Sequence, residues 1–126
     1  MRIGIISDSH GKADRLRSAV EALSREGVQA LVHCGDIGSV ECLELLAGSG
    51  GPVYVVAGNM DRRVQRLAHE AVRLGVQFGW EVVEMPLGDG QYLVATHGHD
   101  EDILGELILG QQFPYDTIEP VAKGVH

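Results

Sequence analysis

The sequence predicts an α/β fold built on a mainly parallel sheet. Two observations carry this. Short β-branched runs alternate with stretches of helical periodicity through the first half of the chain. Strand, helix, strand, helix, strand in that order calls for right-handed βαβ crossovers, which join parallel neighbours. In such sheets ligands bind beyond the carboxyl ends of the strands.

Taken in order, MRIGIIS (1–7) reads as a buried strand, short and bounded by polar residues. KADRLRSAVEALSREG (12–27) reads as a helix, because Leu16, Ala19, Val20 and Leu23 recur on one face and Gly27 supplies a stop. VQALVHC (28–34) is the second strand, and VECLELLAG (40–48) is a short helix. PVYVVA (52–57) is the third strand, with Pro52 first, where no ladder donor is needed. RRVQRLAHEAVRLG (62–75) reads as helix. WEVVEMPLG (80–88) and QYLVAT (91–96) flank Asp89-Gly90, a hairpin signal. EDILGELILGQQ (101–112) reads as helix, and the tail from Phe113 carries no assignment. Neither a repeat nor a linker interrupts residues 1–126, which are expected to form one domain.

The chain has 126 residues, 44% of them hydrophobic, and a formal net charge of −8. An acidic balance argues against stable binding to nucleic acid or to a membrane surface, since both are anionic. Cys34 and Cys42 lack the spacing of a zinc knuckle or a redox pair, and Cys34, in an apolar run, reads as a small buried thiol. The N-terminus is too short and polar for a signal peptide, and no apolar run nears the ~18 residues of a membrane span, so a cytoplasmic protein is expected.

Four loops that follow strands hold the chemistry. They are SDSHG with Asp8 and His10, CGDIG with Asp36, AGNMD with Asn59 and Asp61, and THGHD with His97 and His99. Each residue alone has a plainer reading as a turn former, a cap or a core histidine. Their recurrence at four successive strand ends favours convergence on one site. Mixed oxygen and imidazole donors suit Mn²⁺, Ni²⁺, Fe²⁺, Co²⁺ or Zn²⁺ better than Mg²⁺ or Ca²⁺. The donor count exceeds one tetrahedral site, which predicts two cations, with Asp36, central in the order, between them.

The motif order DSH, GD, GNMD, THGH resembles the calcineurin-like metallophosphoesterase superfamily, and within it the small bacterial and archaeal phosphodiesterases, over residues 1–110. The resemblance implies a layered αββα sandwich and a metal-activated water that attacks a phosphate ester. It implies Asp8 and His10 on a first metal, Asp36 bridging, and Asn59 and His97 on a second, with Mn²⁺ the foremost candidate. Asp36, Asn59 and His97 would then be catalytic. His99, Asp61 and Arg62 would stand behind the ligands or near substrate.

Two departures from the family pattern stand out. Met60 occupies a position where many members carry a histidine that assists the leaving group, and a thioether has no proton to give. The family's late Gly-His-x-His is not found, so the chain reads as truncated at its C-terminus, with His126 a substitute ligand. That loss predicts weak metal occupancy, low activity and a homo-oligomer covering an exposed sheet edge. A catalytically impaired protein of this fold, acting as an interaction scaffold, is the rival reading. A nucleotide-binding α/β domain is disfavoured, since no glycine-rich fingerprint follows the first strand.

Overall fold

Sheet and helix formation follow the hydrophobic pattern closely. The computed structural model describes residues 2–61, 66–97 and the strand 119–121. Strand β1 (Ile3–Ile6), helix α1 (Ala13–Arg25), β2 (Ala30–His33), α2 (Val40–Ala47), β3 (Val53–Val56), α3 (Leu67–Leu74) and β4 (Gln77–Gly79) come first. They are followed by β5 (Val83–Gly88), β6 (Gln91–Ala95) and β7 (Glu119–Val121). Strands β1 to β4 form one all-parallel sheet in the order β1-β2-β3-β4. A second sheet has the order β5-β6-β7, with β5 antiparallel to β6 and β6 parallel to β7.

Two hydrophobic clusters separate the layers. The helix side of the parallel sheet buries Leu16 and Val20 of α1, Leu43 and Leu46 of α2, and Leu67 and Ala71 of α3 against Leu31, Val53 and Val55. The opposite face buries Ala30, Val32 and Val56 against Val83, Met85 and Ala95 of the second sheet. Each fully buried Leu, Val or Met side chain among these contributes about 1.5–3 kcal/mol relative to exposure. Strand alternation explains the division, since Leu31 and Val32 are consecutive and face opposite layers. The described residues thus give three layers, helices, parallel sheet and mixed sheet. The helix expected over 101–112 lies outside the described residues.

Helix boundaries have local causes. Ser39 caps α2, its hydroxyl accepting the Cys42 amide at 3.2 Å. Gly75 ends α3 in the left-handed conformation, φ 75°. Glu70 of α3 takes Arg66 on one carboxylate oxygen at 2.8 Å and Arg73 on the other, and Arg73 reaches Glu44 of α2 at 3.6 Å. The contact with Arg73 holds the Glu70 carboxyl below its ordinary range, against the pull of desolvation. Cys34 and Cys42 are buried free thiols, and burial, aided by the Asp8 charge, pushes Cys34 up to about 11. Among the described residues no helix is long and apolar enough to cross a membrane.

Candidate metal centre

The loops after β1 and β2 are zipped together beyond the end of their ladder. Cys34 donates to the Ile6 carbonyl at 2.7 Å and Asp8 to Gly35 at 2.9 Å. His10 then donates to Asp36 at 2.8 Å and Gly11 to Ile37 at 2.9 Å. This pairing is irregular because three of its residues have left-handed backbones: Asp8 at φ 58°, His10 at φ 50° and Asp36 at φ 56°. Such non-glycine conformations are uncommon and cluster at functional sites. Their effect here is to turn three side chains toward one point.

The result is compact. Ligand-type atoms of Asp8, His10 and Asp36 all lie within 4.8 Å of one another. His10 Nε2 stands 3.4 Å from Asp8 Oδ1 and 3.9 Å from Asp36 Oδ2. From the second sheet, His97 follows β6 and brings its Nε2 to 3.2 Å from the same Asp36 Oδ2. The other Asp36 oxygen accepts the Met60 amide at 3.1 Å. Asp36 therefore stands between the two histidines, and it is 4% exposed while His97 is fully buried.

The donor chemistry can be tested against a cation. His97 Nδ1 lies 2.8 Å from the Cys34 carbonyl, an acceptor only, so Nδ1 carries the hydrogen. A neutral His97 then presents its Nε2 lone pair to the Asp36 carboxylate. Two electron-rich atoms at 3.2 Å call for a proton on the ring or a cation beside both. A histidine whose other nitrogen donates to a backbone carbonyl is the usual arrangement of a metal ligand. Two carboxylates and two imidazoles suit divalent first-row metals, and Asp8, His10, Asp36 and His97 are the residues that could hold them.

Close backbone approach makes this possible. A Cβ on Gly58 would strike the Asp36 carboxylate and amide, and one on Gly35 would strike the His97 ring. Gly35 also has φ 112°, which side-chain-bearing residues rarely adopt.

Of the residues expected from the sequence, Asp8, His10, Asp36 and His97 are brought together. Asn59 is exposed in the loop after β3, next to Met60, which is 43% exposed. Asp61 is fully buried and accepts three backbone amides, from Ile37 at 3.1 Å, Gly38 at 3.0 Å and Gly58 at 2.8 Å. It ties the loops after β2 and β3 to each other. Arg62, His99 and His126 lie outside the described residues. Sequence reasoning missed His33, a fully buried polar residue behind the site. The readable signal was a histidine closing an apolar strand in VQALVHC.

Comparison with known proteins bears on the family and the fold. Phosphodiesterase MJ0936 of Methanocaldococcus jannaschii is 26% identical over 105 residues, which make up 82% of this chain and 63% of that protein. The chain thus spans less than two thirds of that relative's length. The structure of a novel archaeal phosphodiesterase matches with a TM-score of 0.75 at 20% identity, over 98% of this chain and 84% of that one. Likeness at that identity speaks for the fold. Yfce, a phosphoesterase from E. coli, matches with a TM-score of 0.59 at 25% identity, over 79% of this chain and 58% of its own. The family profile of the calcineurin-like phosphoesterase superfamily domain matches residues 1–118, and the chain belongs to that superfamily.

Proposed function

We propose that this protein is a metal-dependent phosphodiesterase acting on small phosphate esters. The observation that supports the reading most directly is the meeting of Asp8, His10 and Asp36 from one sheet with His97 from the other. In this reading Asp8 and His10 would hold one cation and His97 and Asn59 a second, with Asp36 serving both. Bound divalent cations, Mn²⁺ foremost, would supply an activated water and neutralise charge on the phosphate.

The chain's own residues set the rest. The Cys34 carbonyl fixes the His97 tautomer, so the ring offers nitrogen rather than a proton to the site. The Met60 amide holds one Asp36 oxygen and leaves the other directed at both histidines. Asp61 spends its carboxylate on backbone amides, which fits a loop-holding role better than contact with substrate. Met60, exposed beside the centre, has no proton for a departing oxygen, so the rate should depend on the leaving group's own acidity. Arg62 and His99, which lie outside the described residues, complete the proposal as residues behind the ligands or near substrate.

Bis(p-nitrophenyl) phosphate is a suitable test substrate, with a good leaving group. Turnover is expected with Mn²⁺, to vanish with a chelator and to return on reloading. Asp36→Asn should lower kcat/KM by more than about 100-fold, since loss of groups merely supporting ligands already costs 10–100-fold. No turnover by the wild-type protein with Mn²⁺, Ni²⁺, Fe²⁺, Co²⁺ or Zn²⁺ would sink the reading.

A further inference from the structure

Behind the centre lies a hydrogen-bonded relay whose polarity can be read from its partners. His33 ends β2 with its side chain fully buried. The Gly35 amide donates to His33 Nδ1 at 3.2 Å, so Nδ1 holds a lone pair. The neutral ring must then carry its hydrogen on Nε2, which lies 3.0 Å from Ser9 Oγ. Ser9 in turn donates its hydroxyl hydrogen to the Ile37 carbonyl at 3.0 Å. Burial lowers His33 to about 4, with Asp61 and Asp8 pulling the other way, so the ring is neutral near pH 7 and this polarity holds.

That direction excludes one role and points to another. A serine whose hydrogen faces a carbonyl and whose oxygen accepts from the imidazole is not primed as a nucleophile, because the base would have to receive its proton. Ser9 instead sits between Asp8 and His10, both in left-handed backbone. Such residues persist only where their surroundings over-determine them. The Ser9 side chain is pinned at one end to the buried His33 and at the other to the loop after β2.

We infer that His33 is a positioning residue for the metal centre, acting through Ser9 to hold Asp8 and His10 in their left-handed, ligand-presenting conformation. This rests on the metal-site reading above for its functional meaning, while the pinning itself can be tested without metal. The two residues form one unit, so removing either should release the loop and removing both should add little.

The experiment compares wild type, Ser9→Ala, His33→Leu, His33→Gln and the Ser9→Ala/His33→Leu double variant. Two quantities are read, the Mn²⁺ dissociation constant by electron paramagnetic resonance and amide hydrogen exchange in the metal-free protein. Ser9→Ala and His33→Leu should each weaken Mn²⁺ binding by about 10–100-fold. The double variant should fall within about twofold of the weaker single. His33→Gln, whose amide can donate to Ser9, should recover most of the affinity. In the metal-free protein, exchange should quicken at the His10 and Gly11 amides, which bond Asp36 and Ile37, and stay slow in β2 and β3. Unchanged Mn²⁺ affinity in Ser9→Ala, or additive losses in the double variant, would overturn the inference. If His33→Leu fails to fold, Ser9→Ala and His33→Gln decide it. If wild type binds none of Mn²⁺, Ni²⁺, Fe²⁺, Co²⁺ and Zn²⁺, the proposed function falls, and unchanged exchange at His10 and Gly11 in Ser9→Ala would then refute the pinning on its own.

Discussion

Asp8, His10 and Asp36 share a left-handed backbone, and each such residue costs of order 1–3 kcal/mol that its surroundings must offset. Here the offset is visible as the four backbone hydrogen bonds that zip the two loops together. The neighbouring glycines leave the room. Gly35→Ala would set a methyl against the His97 ring in a backbone conformation that suits glycine, and should destabilise the protein by about 1–3 kcal/mol in urea unfolding. His33 carries a pH signature. Its folded value of about 4 lies below the ordinary 6.5, so the unfolded chain binds a proton that the native one refuses. Stability present above pH 6.5 should therefore be lost as pH falls through 4, by of order a few kcal/mol, in urea unfolding of the metal-free protein. His33→Gln should remove that contribution to the pH dependence. Sequence pattern led to Asp8, His10, Asp36 and His97 because carboxylates and imidazoles at strand ends are out of place there. It passed over His33 because a lone histidine inside an apolar run reads as core. Its partner Ser9 becomes a neighbour only once β1 and β2 pair, although the Gly35 amide lies two residues on in the chain.

At the scale of elements, the βα units and the hairpin were legible because their signals are local. Asp89 at φ 53° and Gly90 at φ 74° give the two left-handed central residues of a type I′ turn, which the Asp-Gly pair announces. Gly90→Val should cost about 1–2 kcal/mol and Asp89→Asn should be nearly neutral, both read by thermal denaturation. Strand β4 escaped notice because Gln77–Gly79 is only three residues long, too short to display a period of two. What makes it a strand is its parallel pairing with β3, a partner that lies before α3 in the chain. The tail behaves alike. Glu119–Val121 pairs parallel to β6, and nothing in those three residues alone says so.

Across the whole molecule, the candidate centre sits where two sheets meet, fed by loops from residue 8 to residue 97. A cation bound there would tie the parallel sheet to the mixed one and favour the folded state by mass action. Mn²⁺ at 100 times its dissociation constant should add about 2.7 kcal/mol and raise the thermal midpoint by about 10 °C. Differential scanning calorimetry would read this, and Asp36→Asn should show little of it. The strand order of the parallel sheet has a separate consequence for biosynthesis. Because β1, β2, β3 and β4 lie side by side in the order they are translated, each new unit can dock on an edge already built. Synthesis at ~5–20 residues per second separates Asp61 from His97 by roughly two to seven seconds. For that interval a nascent chain carries Asp8, His10 and Asp36 without the histidine of the second sheet, so an ion captured during translation would meet the two-carboxylate side of the centre first.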